Sequence, residues 1–269
     1  IKNFKNFSFD STSKRENNSQ SSEIIPVKRS HHDIDTTITD STIREKIKVK
    51  LSWNGFDGQN YKGVYYLYMD DVVSSSTTLY RIGRNNPSYS ELYQKLANND
   101  SRKFEYLYHM LDSIKTEHSQ NEWEFTGTIV YMIQSIEYCL VLESNCDDPA
   151  NLQNKMIRDI LAQNFQCIGG ATLGIRSPLQ FMSDLKGDCD TRTLTLYTIF
   201  KHYGYNVAII NSEYYGHSML GISLPIKKGT YKIYNGKKYY FWETTSTGFL
   251  PGYLPFEMGN TNYWNVEIN

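Results

Sequence analysis

The chain has 269 residues, enough to bury a substantial core as one large domain or two small ones. Its 28 Lys and Arg against 29 Asp and Glu leave a formal charge of -1, so no overall field draws it to nucleic acid or anionic lipid, and partners must be chosen by a local site. No run of about 18 apolar residues occurs, so no helix is expected to span a bilayer.

Residues 1–42 are rich in Ser, Thr, Asn and Lys and carry His31 and His32, with too little clustered apolar surface to offset the entropy of ordering. A disordered tail or tether is expected there. The first residue is Ile1 rather than Met, which leaves open a missing leader or anchor and hence an extracytoplasmic location: secreted, periplasmic or anchored. From Ile47 the pattern changes. "IKVKLSW" alternates as a strand, and "YKGVYYLYMDDV" and "TTLYRIG" are expected to be further strands, punctuated by Asn-Gly, Asp-Gly and Ser-rich turns.

Helical periods follow. "SYSELYQKLAN" is one; the next places Phe104, Leu107, Leu111 and Ile114 on one stripe, and the third runs through "EWEFTGTIVYMIQSIEYCLVLE" with Phe125, Ile129, Met132, Ile136 and Leu140. "NLQNKMIRDILAQ" is a shorter helix, and "CIGGATLGIRSPLQFMSDL" reads as a Gly-containing loop in which Pro178 opens a short helix. The stretch "LKGDCDTRTLTLYTIFKHYGY" supplies Asp188 as an N-cap and Gly204 where a left-handed C-terminal residue belongs. Beyond it "NVAII", "GHSMLGISL", "TYKIY" and "KKYYFWETT" read as strands, with Asn235-Gly236 as a type I′ hairpin turn. The expected division is a tail (1–42), a β-rich then helical region (43–120) and a core of helix followed by antiparallel strands (121–269), an α+β fold.

Four cysteines, Cys139, Cys146, Cys167 and Cys189, form no C-x-x-C pair and no finger-like spacing with His, which argues against structural zinc. Cys146 and Cys167 flank a polar stretch and fit either a disulfide in an exported protein or two free thiols in a reducing one. Cys189 falls in the first turn of a helix, where unpaired N–H groups favour a thiolate. Asp188 and Asp190 beside it oppose that, although consecutive helical side chains point apart.

Of the six histidines, His109 and His118 lie in an upstream helix, and His217 begins a strand whose period of two puts it opposite Leu220 and Ile222, with slim neighbours leaving room for an approaching group. An imidazole beside the thiol makes a thiolate–imidazolium pair and later protonates a leaving group. Glu243 ends a neighbouring strand and is placed to orient His217, while Gln134, mid-helix among apolar residues, and the backbone N–H of Cys189 are available as oxyanion donors.

Four blocks carry a resemblance: "IQSIEY", "GDCDTRTLTLYTIFKHYGYNVAII", "GHSMLGI" and "YYFWETTSTGFLPGYLP". In this order they resemble the transglutaminase-like superfamily of cysteine enzymes, particularly its prokaryotic cysteine-peptidase-like branch, from about Gln134 to Pro255. The resemblance implies a papain-like core with Cys189 as nucleophile, His217 as base, Glu243 in a position where many relatives have Asp, and Gln134 at the oxyanion. Thr191 and Arg192 depart from the acidic or Lys residues usual after Cys-Asp, and Phe249 stands where Trp is frequent. The expected activity is acyl transfer at an amide bond of a protein or peptide through a thioester, with hydrolysis favoured. Cross-linking of proteins and a silent binding module are the alternatives. Cys, His and Glu are also zinc ligands, but the second-shell pairing of a metal site is missing from the sequence, so no metal or cofactor is expected.

Overall fold

The computed structural model describes residues 21–25 and 44–269, apart from residues 154 and 164. In chain order its main elements are β1 (Ser21–Ile25), β2 (Lys46–Asn54), β3 (Asn60–Tyr68), α1 (Met69–Gly83), α2 (Tyr89–Asp100), α3 (Glu105–Glu117) and α4 (Glu122–Gln134). Next come β4 (Cys139–Val141), α5 (Pro149–Gln153), α6 (Lys155–Ala162), β5 (Gln166–Ile168), α7 (Pro178–Asp184) and α8 (Cys189–His202). The chain ends with β6 (Val207–Ser212), β7 (His217–Ile222), β8 (Tyr231–Tyr234), β9 (Lys237–Trp242) and β10 (Asn265–Ile268). The fold is α+β.

β2 and β3, both expected as strands, pair as an antiparallel hairpin, with Val49, Leu51 and Trp53 alternating into the core. At its turn the Gly55 N–H donates to the Gln59 carbonyl at 2.8 Å, and Gly58 takes a φ of 77°. β1 adds to the other side of β2, so Ser21–Ile25, expected in a disordered tail, is an edge strand. The rest of the expected tail, His31 and His32 included, lies outside the described residues.

Two further expectations change. "TTLYRIG" is the second half of α1, not a strand; Ser75, Leu79 and Ile82, spaced at four and three, are its buried side, a period that the Ser and Thr run obscures. The helical stripe drawn through Ile136 and Leu140 ends early, because α4 stops at Gln134 and Leu140 belongs to β4. The reason lies at a distance: the Arg192 guanidinium donates to the carbonyls of Ile133, Ile136 and Glu137, which stand where a continuing helix needs its own N–H groups.

β4 and β5 pair in parallel, an arrangement not expected from the sequence. The larger sheet runs β10-β6-β7-β9-β8, with an Asn235-Gly236 turn joining β8 to β9 at φ values of 47° and 73°. One face of it, Val207, Ile209, Leu220, Ile222, Trp242 and Ile268, joins a core that also contains Val49, Trp53, Leu111 and Ile129. Residues on either side of position 120 therefore share one apolar interior. α8 lies within it, buried from Cys189 to Phe200, as expected of a helix that packs on all sides. Among the described residues, no helix is long and apolar enough to cross a membrane.

Candidate active site

α7 is opened by a capping box between Ser177 and Gln180, with Pro178 in its first turn, and ends at Leu185 in the left-handed region at φ 60°. The chain then turns through Lys186 and Gly187 into α8. A Cβ on Gly187 would lie 2.7 Å from both Phe181 and Thr191, so only glycine lets the two helices approach this closely. Asp188 caps α8 by accepting the Thr191 N–H at 3.3 Å. Cys189 follows as its first residue and is 4 % exposed.

Arg192 holds this entry in place. It is fully buried (0 % exposed), and its Nε donates at 3.0 Å to the carbonyl of Gly187, two residues before the cysteine. Its Nη1 and Nη2 reach the end of α4 at 3.1 Å (Ile133), 2.7 Å (Ile136) and 2.6 Å (Glu137). Burial pulls the guanidinium down to about 10, which leaves it charged at neutral pH. Sequence reasoning registered Arg192 only as a departure from a motif; a charged residue one turn into an otherwise apolar and Thr-rich helix was the available signal.

His217 opens β7 and Glu243 follows β9. The antiparallel register pairs Leu220 with Trp242, and the next residues along bring the two side chains together at the end of the sheet. His217 Nε2 lies 2.9 Å from Glu243 Oε2, with exposures of 5 % and 1 %. Glu243 Oε1 accepts the Thr244 N–H at 2.8 Å, the Thr245 N–H at 2.8 Å and the Thr245 hydroxyl at 2.7 Å. Against the cost of burial, the His217 charge and these donors hold its carboxyl down at about 2. Burial alone lowers the His217 imidazole, but the negative charge of Glu243, followed by Cys189, overrides it and holds the ring well above the usual histidine range.

Cys189 and His217 lie within electrostatic reach of each other, each favouring the charged form of the other. With Nε2 turned to Glu243, Nδ1 is the ring nitrogen that remains for the sulfur. The structure thus brings together Cys189, His217 and Glu243, which are far apart in sequence. It also brings in Asp190, against the expectation that consecutive helical side chains diverge: Cys189 Sγ lies 3.8 Å from Asp190 Oδ1. Burial first, and then the Asp190 charge, push the thiol up; His217 pulls it down.

Gln134 is the last residue of α4 rather than a mid-helix one. Its Nε2 donates to the backbone carbonyls of Glu243 at 2.7 Å and Phe249 at 3.2 Å, which occupies both amide hydrogens. The side chain ties α4 to the strand end that carries Glu243 and offers no remaining donor to an oxyanion in this arrangement. Its buried Oε1 has no partner among the described residues.

The open approach expected along the His217 face of β7 is also absent. Met219, Ala208, Ile210, Tyr239 and Phe241 on that face are covered by Met258 and Trp264 of the C-terminal segment. The Trp264 ring stands 6.2 Å from the His217 ring, and Tyr215, Tyr263 and Tyr214 continue outward from it to the surface. An open cleft of about 640 Å³, lined by Tyr80, Gly170, Arg176, Gln180 and Lys186 among others, includes none of the three site residues. Cys146 and Cys167 are joined as a disulfide, which links the segment after β4 to β5; Cys139 and Cys189 are free thiols. Among the described residues, no group of three or more His, Cys, Asp or Glu is arranged to hold a metal ion. Comparisons with protein-family models, with curated proteins and with solved structures give no match for this chain.

Proposed function

We propose that the protein is a cysteine-dependent acyl-transfer enzyme with a transglutaminase-like, papain-like core, which cleaves an amide bond of a protein or peptide through a thioester. The observation that carries this reading is the buried sequence of contacts from Glu243 to His217 to Cys189, with the sulfur at the N-terminus of α8. A sulfur so placed is stabilised as an anion by the first-turn N–H groups and by an adjacent imidazolium.

In this reading the Cys189 thiolate attacks the amide carbonyl, forming the C–S bond while the carbonyl electron pair moves to oxygen. The backbone N–H of Cys189 faces the developing oxyanion. His217 Nδ1 then gives its proton to the departing nitrogen as the C–N bond breaks, which releases an amine and leaves a thioester. Neutral His217 next takes a proton from water, the resulting hydroxide adds to the thioester carbonyl, and the thiolate leaves with the acid as product. Glu243 keeps Nε2 protonated throughout, so that Nδ1 alone exchanges protons. Arg192 and Gln134 are positioning residues, one for the turn that carries Cys189 and the other for the strand end that carries Glu243. The disulfide between Cys146 and Cys167 supports an oxidising, extracytoplasmic compartment.

The test is amine release from a peptide library by the wild type and by Cys189→Ala, with mass spectrometry of the acyl group trapped on Cys189. Loss of turnover by roughly 10⁴-fold or more and a single adduct on Cys189 are expected. Undiminished turnover in the variant rules out covalent catalysis at this residue. Incorporation of an added primary amine in preference to water identifies a cross-linking transferase, and peptide binding with no turnover identifies a binding module.

A further inference from the structure

The Asp190 carboxylate has no part in the reaction just described, yet it is a polar group placed directly against the reacting sulfur. Its Oδ1 is 3.8 Å from Cys189 Sγ, and the same oxygen accepts a hydrogen bond from the Ser218 hydroxyl. Ser218 in turn contacts Asn211 Oδ1 at 2.7 Å, and Asn211 Nδ2 donates to the Tyr93 hydroxyl at 3.2 Å. Asp190 is thereby fixed from β7, β6 and α2, and cannot swing away from the sulfur without breaking a buried network.

The hydrogens around the sulfur can be assigned. With His217 raised well above the usual histidine range by Glu243, its Nε2–H is turned to Glu243 and the Nδ1–H is the one that remains for the sulfur. The remaining hydrogen, that of the thiol, then lies between Sγ and Asp190 Oδ1. The other charged or titratable groups within electrostatic reach of Cys189 are Asp188 on its own helix, Tyr93 on α2 and Tyr138 after α4. Arg192 on the same helix spends its donors on four carbonyls. Among these acids, Asp190 is in hydrogen-bond contact with the sulfur.

We propose that Asp190 shares one proton with Cys189 and so acts as a restraint on the nucleophile, keeping it a thiol in the resting protein; that proton passes to solvent before the thiolate attacks. The inference rests on the reading of Cys189 as the nucleophile. A restrained thiol suits a protein whose other cysteine pair is oxidised, because the thiolate is the form that oxidants and electrophiles attack. Removing the acid makes the sulfur easier to ionise, since a like charge in contact disfavours the charged form of its neighbour.

The experiment follows alkylation of Cys189 by iodoacetamide across pH, by peptide mapping, in wild type, Asp190→Asn, Asp190→Ser and Asp190→Glu. The neutral variants are expected to reach half-maximal reactivity at a pH lower by about one unit or more, with roughly tenfold faster alkylation at neutral pH. Asp190→Glu restores the charge and is expected to stay near the wild-type profile, which a packing effect alone does not explain. Asp190→Ser supplies the measurement if Asp190→Asn does not fold. Profiles of both neutral variants that overlay the wild type overturn the proposal and leave the dependence of turnover on Cys189 untouched. If Cys189→Ala keeps its turnover, the functional reading fails instead, and the alkylation shift is still measured.

Discussion

Two buried carboxylates separate what burial does from what a partner does. Asp100, at the end of α2, is fully buried and accepts hydrogen bonds from Ser75 at 2.6 Å and 2.8 Å, from Asn99 at 2.7 Å and from the Leu179 N–H at 3.0 Å. Glu243 is as deeply buried and as well supplied with donors, yet the two shift in opposite directions. Burial raises Asp100 above its ordinary value despite its neutral donors, whereas Glu243 falls to about 2. The difference is the imidazolium of His217: neutral donors satisfy the oxygens, but only an opposite charge reverses the cost of taking a carboxylate out of water. Asp100 ties α1, α2 and α7 together, while Glu243 holds a proton carrier in register with a sulfur.

The largest expected effect comes from Glu243→Gln, which keeps the shape and removes the charge. Burial then acts on His217 unopposed by the carboxylate, the imidazole becomes neutral at lower pH, and amide turnover falls by roughly 10²–10⁴-fold. The alkaline limb of the pH profile of kcat/KM moves to lower pH, which a steady-state titration measures. The stability difference between wild type and variant also depends on pH. Glu243 has a folded value below its unfolded one, so its contribution is fully present above about 4.5 and is lost as pH falls through about 2. His217, raised in the folded state, adds stability that is fully present below 6.5 and lost as pH rises through its folded value.

Arg192 is the cationic counterpart of Asp100, a buried charge satisfied by neutral groups only. Arg192→Leu leaves four carbonyls short of a donor, three of them buried, and a loss of about 3 kcal/mol in unfolding free energy is expected from urea titration. Arg192→Lys recovers part of it, because one ammonium reaches fewer of the four carbonyls than a planar guanidinium.

Local chemistry made much of the fold readable from sequence. The Asp188 cap, the Pro178 start, the Asn235-Gly236 turn and Gly204 each depend on a few neighbouring residues, and all appear as expected. The stripe from Phe104 to Ile114 is buried for the same reason. α1 was missed because Ser and Thr fill its exposed face and imitate a turn. β4, β5 and β10 are three or four residues long, too short for a period to declare itself. At the site, the convergence of Cys189, His217 and Glu243 was suggested by order along the chain. The commitment of Gln134 to two carbonyls, the reach of Arg192 across more than fifty residues and the contact of Asp190 with the sulfur depend on how α4, α8 and β7 stack, which no spacing within one element encodes.

The smallest effect separates the two carboxylates most cleanly. Asp100→Asn keeps one acceptor oxygen but places an NH₂ where the other stood, against either the Asn99 amide or the Leu179 N–H, and is expected to cost about 1 kcal/mol with no change in turnover. Because the folded value of Asp100 is raised, the stability it contributes is fully present below 3.8 and is lost as pH rises through that folded value. The advantage of wild type over Asp100→Asn therefore shrinks as pH rises above 3.8, while the Glu243 contribution to the advantage over Glu243→Gln grows between about pH 2 and 4.5 and is opposed by the His217 contribution nearer neutral pH. Urea titrations of the three proteins from about pH 2 to 7 measure these slopes, and a wild-type advantage over Glu243→Gln that does not decline toward neutral pH contradicts the assignment of an imidazolium to His217.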